Sequence, residues 1–340
     1  MSARADPRAT PDRVEALGLI DAVFLTCNSR DQALECIAHL REPEIASVVV
    51  VDNASTDGTA EAIRAVHPDV TVLALDVSTG LAAALNRGAE LGEAPFVLYV
   101  NDDVFAVPGS IRVLLETLQC NEDAVAAGGR LVERDLTTQD RYRPRAFPSP
   151  VTVVGRLLGL ERVWPRNPWT GEHLRQMLDD RTTVTVDQPA GACMLVRRSV
   201  VDRVGGWDER YWFWYEDVDL LRRLAQYGVS LYVPAAPFRH VGGATARRLN
   251  APQGHARYFH GVLQYSRTHF SRSGRAVVAL AMLLTSLCRA VLRARADREG
   301  ARIYLRAASG AVALLCGREI GRLDGVTSKQ EPGVGFGTSP

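Results

Sequence analysis

Three carboxylates follow directly on a run of five aromatic residues in the second half of the chain. The aromatic run occupies residues 211–215, and the acids are Glu216, Asp217 and Asp219. Residues 220–224 form an apolar and basic run that predicts a helix, and acids in a first helical turn stabilise it because the unpaired amides there carry partial positive charge. Large rings beside a carboxylate can instead raise its pKa and enclose a sugar-sized pocket. The stretch is therefore either a capped helix or the edge of a catalytic site.

A second group of acids follows the hydrophobic segment 96–100, which predicts a buried strand. Asn101, Asp102 and Asp103 come directly after it. Adjacent carboxylates at the end of such a strand are costly unless they are paired, solvated or bound to a cation. Hard oxygen ligands suit Mg²⁺ or Mn²⁺, and such an ion would bridge a diphosphate. We therefore expect a divalent metal site here, with a purely structural cluster as the alternative.

Polar residues also end the first two predicted strands, 19–26 and 45–51, which are β-branched and apolar. The polar residues at these ends are Thr26, Asn28, Asp52 and Asp57. Strand, turn and helix in units of about thirty residues predict an α/β fold with parallel strands, in which ligands bind at the carboxyl ends of the strands. Carboxylates at that edge can accept from a base or a ribose hydroxyl, which indicates a nucleotide site. Turn formation and helix capping are the alternative.

The composition of the 340-residue chain is that of a soluble globular protein, with 46% hydrophobic and 23% charged residues. A formal net charge of +1 gives no case for a nucleic-acid partner. The six cysteines form no CxxC motif, which predicts buried thiols in a reducing cytosol rather than disulfides or zinc. The polar N-terminus predicts no export signal, and no run approaches the roughly eighteen apolar residues of a membrane span.

Two further segments have a distinctive composition. Periodicity is lost over residues 133–183 apart from one predicted helix at 151–160, and loops this long are usually lids or substrate walls, with an inconsequential insertion as the alternative. Residues 267–322 carry eleven Arg against three acids. Within them, Ala276–Cys288 and Ile303–Cys316 are apolar. The first is too short to span a bilayer but suits an interfacial helix whose arginines meet anionic lipid, with a buried appendage or dimer face as the alternative.

Several motifs have the order and approximate spacing found in family 2 glycosyltransferases. They are Val-Val-Val-Val-Asp-Asn-Ala-Ser-Thr-Asp-Gly-Thr at 48–59, Asn-Asp-Asp at 101–103, Ala-Gly-Ala-Cys-Met-Leu-Val-Arg-Arg at 190–198, Gly-Gly-Trp-Asp-Glu-Arg at 205–210, Glu-Asp-Val-Asp-Leu at 216–220, and His240. As a set they are specific, and they cover roughly residues 19–245. The chain resembles the bacterial rhamnosyltransferase-like branch of that family most closely.

The resemblance implies a GT-A fold with a mostly parallel central sheet, and inversion at the anomeric carbon. The nucleotide-binding residues that it implies are Thr26, Asn28, Asp52, Asp57 and Asp102. The metal ligands that it implies are Asp103 and His240, holding Mg²⁺ or Mn²⁺. The catalytic base that it implies is Asp217, with Glu216 as its partner. The residues expected to contact the acceptor are Trp207, Trp212, Trp214 and Arg223, with core packing as the alternative for the aromatic side chains.

Sugar transfer requires a group that stabilises the leaving diphosphate and a general base for the acceptor hydroxyl. Transfer from a nucleoside diphosphate sugar builds charge on the leaving diphosphate, which a divalent ion stabilises. The acceptor hydroxyl loses a proton as it attacks from the opposite face, so one positioned carboxylate must act as general base. The segment 101–103 supplies the first group and Asp217 the second. Asp219 is expected to serve the helix, paired with Arg222 or Arg223.

The expected organisation is a flexible tail at 1–17, a GT-A domain at 18–245, a basic and apolar helical extension at 246–320 and a second tail at 321–340. The expected partners are a dTDP-rhamnose or UDP-sugar donor, a lipid-linked or glycan acceptor of the cell envelope, the inner membrane surface and a second copy in a homodimer. The expected location is cytoplasmic and peripheral on the membrane.

Two other functions fit parts of the sequence. A sugar-phosphate nucleotidyltransferase also combines an α/β fold with metal-binding acids, but the Gly-rich basic phosphate loop expected near its first strand is missing from the sequence. A non-catalytic nucleotide-sugar-binding protein would not need both Asp103 and Asp217. The sequence therefore favours a metal-assisted inverting glycosyltransferase.

Overall fold

The structure is a computed structural model that describes residues 18–164, 167, 169, 170, 179–242 and 251–323. The tail expected at 1–17 and the boundary expected at 245/246 lie outside these residues, as does all but 321–323 of the tail expected at 321–340. The domain limits therefore stay predictions.

The sequence builds a central sheet from apolar segments. The strands are β1 (Ile20–Thr26), β2 (Ile45–Asn53), β3 (Thr71–Leu75), β4 (Phe96–Val100), β5 (Val104–Ala106), β6 (Ala124–Val132), β7 (Val184–Val186), β8 (Cys193–Arg197) and β9 (Val229–His240). Among the described residues these nine strands form one sheet in the order β3-β2-β1-β4-β8-β6-β9-β5, with β7 paired to β9 outside this path. The α/β prediction is confirmed.

The two halves of the sheet differ in strand direction. The path β3-β2-β1-β4 is parallel throughout, as the repeated strand–turn–helix units predict. Beyond β4 the sheet is mixed: β8 runs antiparallel to β4 and β6, and β5 and β7 run antiparallel to β9, while β6 and β9 are parallel. The parallel direction expected from the sequence therefore holds for the first half, because only that half is built from short βαβ crossovers.

Helices cover both faces of the sheet. Before the aromatic run they are α1 (Arg30–His39), α2 (Thr59–Val66), α3 (Leu81–Ala89), α4 (Ser110–Cys120), α5 (Pro150–Leu157), α6 (Leu160–Val163) and α7 (Arg198–Val204). After it they are α8 (Glu216–Leu224), α9 (Ala251–His269), α10 (Arg272–Arg293) and α11 (Arg298–Leu315). Side chains of α1, α2 and α4 form the core of one face, and side chains of α3, α7 and α8 form the core of the other.

The C-terminal helices have a core of their own that extends into the sheet domain. Residues of α9, α10 and α11 pack together with α5 and with Tyr211 and Tyr215 of the aromatic run. The helical extension is therefore packed on the domain that carries the candidate site.

The helix predicted at Ala276–Cys288 is longer than expected. α10 has 22 residues, and an 18-residue window within it has a mean hydropathy of 1.8, with 28% of that window buried inside the structure. By length and composition alone this helix could cross a membrane; the expectation that the chain has no membrane span stays a prediction. The helix is longer than predicted because it includes arginine-containing segments on both sides of the thirteen-residue apolar run.

The cysteines fit the sequence interpretation in part. All six are free thiols. Cys36 and Cys193 are buried, and burial raises the pKa of each thiol. Three others, Cys120, Cys288 and Cys316, are exposed, so the prediction of burial was wrong for them.

Candidate active site

The carboxyl ends of β1 and β2 carry the residues predicted to bind a nucleotide. Thr26 and Asp52 are register partners at these ends, and both are buried. The Thr26 hydroxyl donates to Asp102 Oδ2 at 3.0 Å, so it joins the end of β1 to the acids after β4. Asp52 Oδ1 accepts the backbone N–H of Ser55 at 2.9 Å. The structure thus brings Thr26 and Asp52 to one edge of the sheet, as predicted, and Asp102 joins them there.

Asn28 and Asp57 organise the loops around this edge. Asn28 adopts a positive φ of 49°, and its Oδ1 accepts the backbone N–H of Thr56 at 2.7 Å, which ties the β1 loop to the β2 loop. Asp57 is exposed, and its Oδ1 accepts the backbone N–H of Thr59 at 3.1 Å at the start of α2. Gly58 is the N-cap of α2, so Asp57 forms the turn before the helix, which the sequence left open as the alternative to nucleotide binding.

Asp103 and His240 meet at the other end of the acidic segment. Both are buried, and His240 Nε2 lies 3.6 Å from Asp103 Oδ1. The contact arises because β5, directly after the acids, pairs with the end of β9, where Val104 is opposite His240. Two residues separated by more than a hundred positions are thus brought together as the motif resemblance implied.

The environment of His240 determines which ring nitrogen faces Asp103. The side-chain amide nitrogen of Gln139 donates to Glu133 and to the His240 carbonyl oxygen, so Gln139 Oε1 faces His240 Nδ1 at 2.9 Å. With this orientation Nδ1 donates to Gln139 Oε1, and Nε2, the ring nitrogen that faces Asp103, carries a lone pair when the ring is neutral. A lone pair beside a carboxylate oxygen suits a shared divalent cation, so these two residues fit a metal site. Among the described residues no cluster of three or more His, Cys, Asp or Glu side chains could hold a metal ion, so the other ligands would come from diphosphate or water.

A cleft of about 370 Å³ opens beside these strand ends. Its polar lining residues are Asn101, Arg143, Arg145, Arg156, Gln188, Glu216 and Asp217. Its aromatic lining residues are Tyr99, Tyr142, Trp207, Phe213, Trp214, Tyr215 and Tyr258. Residues from 142 to 156 form part of one wall, so the described part of the long excursion borders the cleft.

A sharp backbone turn directs the aromatic run into this cleft. Trp214 and Tyr215 both have positive φ, 71° and 73°, a conformation that costs free energy for large side chains. Helix α9 crosses closely there: a Cβ added to Gly261 would lie 2.6 Å from the Trp214 carbonyl oxygen. The turn ends where α8 begins at Glu216, so the three acids lie in the first helical turn, as predicted.

Glu216 and Asp217 are adjacent carboxyl groups that both line the cleft. Glu216 is buried, its Oε2 finds no hydrogen-bond partner among the described residues, and burial followed by the charge of Asp217 raises its pKa to about 8. Asp217 is partly exposed and accepts the N–H of Val218 at Oδ1, 2.8 Å away. Burial raises its pKa as well, and the Val218 N–H and Arg145 act in the opposite direction.

Glycine is needed beneath Asp217. A Cβ added to Gly191 would lie 2.2 Å from Asp217 Oδ2, so any other residue at position 191 would clash with this oxygen in its present position. The neighbouring Ala192 carbonyl accepts the N–H of Asn101 at 2.9 Å. The segment 190–192 therefore connects the carboxylate at the head of α8 to the acidic segment after β4.

The residues expected to contact the acceptor separate into two groups. Trp207 and Trp214 line the cleft, so an acceptor contact stays a prediction for them. Trp212 does not: its ring packs on Gly80, where an added Cβ would lie 3.0 Å away, and the Arg322 guanidinium stacks on it at 3.8 Å. Phe213, the next residue, lines the cleft instead. The strained turn decides which side chains face inward, and spacing in the sequence does not reveal it.

Arg223 also lies outside the cleft lining. Its Nε donates to Asp219 at 2.7 Å, and its Nη1 donates to the carbonyl oxygens of Val204 and Gly206. The expectation of an acceptor contact is therefore not supported, because the guanidinium is engaged in holding the turn after α7. The pairing of Asp219 with a basic residue one helical turn later is confirmed.

Asp219 is the centre of a buried network. It is 0% exposed, and besides Arg223 it accepts from His269 Nε2 at 2.7 Å and from the Tyr211 hydroxyl at 3.4 Å. The network joins α8 to the end of α9. Asp219 thus differs from Glu216 and Asp217, since it serves the packing of helices, as the helix interpretation predicted.

Sequence interpretation missed several functional residues. Gln139 orients His240, Gly191 backs Asp217, and Arg145 and Arg156 line the cleft. The Ala-Gly-Ala motif held a signal for Gly191. The arginines lie in the segment without periodicity, so their positions could not be inferred before folding.

Comparison with known proteins agrees with this geometry. Residues 21–205 match the family described as Glycosyl transferase family 2, and residues 173–242 match that described as N-terminal domain of galactosyltransferase. An N-acetylglucosaminyl-diphospho-decaprenol L-rhamnosyltransferase of Mycobacterium tuberculosis is 37% identical over 207 residues, 57% of this chain and 66% of that protein. Rhamnosyltransferase WbbL of Escherichia coli is 53% identical over 142 residues, 41% of this chain and 50% of that protein. The chain thus spans less than two thirds of the length of either relative.

A solved structure shares the fold. The mannosyltransferase PcManGT from Pyrobaculum calidifontis, in complex with GDP-Man and Mn²⁺, superposes with a TM-score of 0.50 at 16% identity, covering 89% of this chain and 88% of that one. The GT-A fold expected from the motifs is thereby confirmed. A family match over more than half of the chain establishes the assignment: the chain belongs to glycosyl transferase family 2.

Proposed function

We propose that the protein transfers a sugar, with inversion, from a nucleoside diphosphate donor to a hydroxyl group of a lipid-diphosphate-linked acceptor. The observation that carries this proposal is the connection of two acidic groups through one cleft. Asn101 lines the cleft two residues before Asp103, and Asp217 lines it from the head of α8. The hydrogen bond from Asn101 to Ala192 joins the two groups. This arrangement suits a donor diphosphate at one end and an acceptor hydroxyl at the other.

Each residue has a chemical task in this proposal. Thr26, Asp52 and Asp102 border the nucleoside, and Asp103 and His240 would hold a divalent ion. When bound, such an ion stabilises the charge of the leaving diphosphate.

Asp217 accepts the proton of the acceptor hydroxyl as that oxygen attacks the anomeric carbon. The pKa of Glu216 is raised to about 8, so this carboxyl group is mostly protonated at neutral pH. Trp207, Phe213 and Trp214 offer apolar faces to a sugar ring and exclude water from the cleft.

The relatives support the choice of substrates. One is an L-rhamnosyltransferase whose acceptor is an N-acetylglucosaminyl-diphospho-decaprenol, and another is a rhamnosyltransferase. We therefore propose L-rhamnose as the sugar, carried by a thymidine diphosphate, and a polyprenyl diphosphate-linked sugar of cell-envelope synthesis as the acceptor. A UDP-sugar is the second candidate donor.

A donor panel tests this function. We expect dTDP-L-rhamnose with Mg²⁺ or Mn²⁺ to raise the melting temperature more than UDP-, GDP- or other dTDP-sugars do, because ligands that bind only the folded state stabilise it. The same donor is expected to rhamnosylate a synthetic prenyl-diphosphate-linked N-acetylglucosamine, with formation of a product of inverted configuration observed by NMR. Transfer from a different nucleotide sugar would correct the donor, and retention of configuration would contradict the mechanism.

We also propose that one face of α10 lies on an anionic membrane. Its exposed apolar side chains recur at helical spacing; they are Val277, Leu280, Leu284, Leu287 and Val291. The opposite face of α10 packs against α5 and α11. The helix therefore lies along the surface of the protein with its exposed apolar side chains facing outward. Arginines at both ends, Arg272 and Arg293 among them, would meet lipid phosphates while the apolar face enters the acyl boundary.

Substitution of one exposed leucine tests the membrane contact. Deleting the C-terminus would also open a buried core, so a surface substitution is sharper. Leu284, 64% exposed, is changed to Gln, and Leu91, 49% exposed in the turn after α3, is changed to Gln as the control. We expect Leu284→Gln to lower partitioning into anionic vesicles by about tenfold, since burying a leucine side chain contributes roughly 1.5–3 kcal/mol. Equal partitioning of both variants, measured by vesicle sedimentation, would contradict the proposal.

A further inference from the structure

Three arginines line the cleft, and their partners differ. Arg143 forms ion pairs with Asp140 and Asp180 at 2.7 and 2.9 Å. Arg156 forms one, with Glu161 at 2.9 Å, and its side chain is only 22% exposed. Within the part of the chain that the structure describes, no carboxylate lies within 4 Å of Arg145, which donates to the Arg141 carbonyl oxygen at 2.8 Å. Arg145 and Arg156 both line the cleft, and the one ion pair between them and a carboxylate leaves one positive charge of the two unneutralised.

The two side chains are held by different elements. The backbone of Arg145 exchanges two hydrogen bonds with Gln188, at 3.0 and 3.1 Å, three residues before Gly191, which backs Asp217. Arg156 lies on α5. Partial desolvation and then the positive charge of Arg156 lower the pKa of Arg145, whereas the Asp217 carboxylate opposes both effects. Two like charges brought together without a carboxylate for each indicate a site for an anion.

The next residues of α5 lead from the cleft to the apolar face of α10. Arg156 lines the cleft, the Leu157 carbonyl accepts from Arg289 Nη2 of α10 at 2.8 Å, and Leu158 is 65% exposed. Helices α5 and α10 are in close contact, since a Cβ added to Gly274 would lie 2.9 Å from Pro150 Cγ. A ligand with a sugar, an anionic group and a lipid chain could therefore place its sugar at Asp217 and its chain along this apolar surface.

We propose that Arg145 and Arg156 bind the diphosphate that joins the acceptor sugar to its lipid. The proposal rests on the proposed function, since it concerns the acceptor of that reaction. Guanidinium groups form paired, charge-assisted hydrogen bonds with phosphate oxygens, and a diphosphate offers enough oxygens for both arginines. Glu161 partly neutralises Arg156 through its ion pair. Arg145 is therefore expected to contribute more than Arg156 to binding of the diphosphate.

Direct binding of a prenyl diphosphate tests the site without requiring transfer. The probe is geranyl diphosphate, titrated calorimetrically into the full chain in EDTA, so that a divalent ion cannot hold it at the donor site. We expect Arg145→Gln and Arg156→Gln each to weaken binding by about tenfold, because each removes a charge-assisted contact, and the double variant to bind still more weakly. Geraniol is expected to bind far more weakly than geranyl diphosphate.

Two matched variants separate charge from folding. Glu161→Gln keeps Arg156 but removes its carboxylate, so binding is expected to be unchanged or tighter. Arg162→Gln, which removes an exposed arginine outside the cleft lining, is expected to bind as the parent protein does. A loss of binding in Glu161→Gln as large as that in Arg156→Gln would assign Arg156 a purely structural role and overturn its part of the proposal.

The remaining outcomes are distinct. Undiminished binding of geranyl diphosphate by the double variant, or its failure to bind the parent protein, overturns the proposal. Weaker binding of dTDP or UDP with Mg²⁺ by the double variant, in parallel with geranyl diphosphate, would assign the arginines to the donor and also overturn it. If the parent protein binds geranyl diphosphate through these arginines but transfers no sugar to any acceptor, the proposed function fails and the anion site stands.

Discussion

Asp217→Asn is expected to reduce sugar transfer by about 10² to 10⁴, the usual contribution of a general base. The amide keeps the shape of the carboxylate and can still lie over Gly191, but it cannot accept the proton of the acceptor hydroxyl. Binding of the donor and of a divalent ion is expected to persist, because the residues proposed for them lie at the ends of β1, β2 and β4 and at His240. Single-turnover transfer and donor-induced thermal stabilisation measure the two effects separately.

Glu216→Gln is the matched control for that substitution. Because the pKa of Glu216 is raised to about 8, its carboxyl group is mostly protonated at neutral pH, and glutamine resembles it. We expect this variant to keep activity within about tenfold of the parent near pH 7.

The raised pKa of Asp217 also sets a pH dependence. A base works when ionised, so kcat/KM should fall as pH falls through the pKa of the pair. Asp217→Asn should abolish this dependence. If Glu216→Gln loses transfer and Asp217→Asn retains it, Glu216 would be the general base and Asp217 its partner.

Asp103→Asn is expected to weaken metal-dependent binding of a nucleoside diphosphate and to lower transfer on the order of 10²-fold or more. The substitution keeps the volume of a buried side chain but removes the charge that faces His240 Nε2. His240→Gln is expected to act in the same direction, because it removes the lone pair that the Gln139 hydrogen bond orients. The measurement is a Mn²⁺ titration with dTDP or UDP, followed by electron paramagnetic resonance of the free ion.

A control for this prediction lies at the opposite edge of the sheet. Asp69 precedes β3, and it is paired with Arg41. Asp69→Asn should leave Mn²⁺ binding unchanged. Mn²⁺ binding by Asp103→Asn with the affinity of the parent protein would show that the acidic segment serves the fold and not the metal.

The start of α8 follows from residues that are neighbours in the sequence. The acids after the aromatic run predicted the start of a helix, and α8 begins at Glu216. Local rules sufficed there, because the charge preference of a helix end and the spacing of one helical turn depend on neighbouring residues. The same rules paired Asp219 with Arg223. The direction in which Trp212 points depends on Gly80 and Arg322, which are far away in the chain, so the acceptor role expected for Trp212 was not supported.

The metal pair shows the part played by the motif resemblance. Asp103 and His240 are distant in sequence, and spacing alone does not bring them together. The resemblance to family 2 motifs predicted that the two residues act together. The pairing of β5 with β9 places Asp103 Oδ1 and His240 Nε2 3.6 Å apart. Gln139, which orients His240, lies in the segment without periodicity and was missed.

By itself, the sequence determined the parallel half of the sheet, the acids at its carboxyl ends and the family. Apolar β-branched runs followed by polar turns specify strands locally, and strand ends in βαβ units meet at one edge. Only the tertiary structure decided which residues form the cleft: the mixed half of the sheet, the inward turn at Trp214 and the placement of Arg145 and Arg156. These depend on contacts between residues far apart in the chain, whose free energy is not encoded in any one segment. The three acids after the aromatic run thus have separate tasks because each meets a different part of the fold.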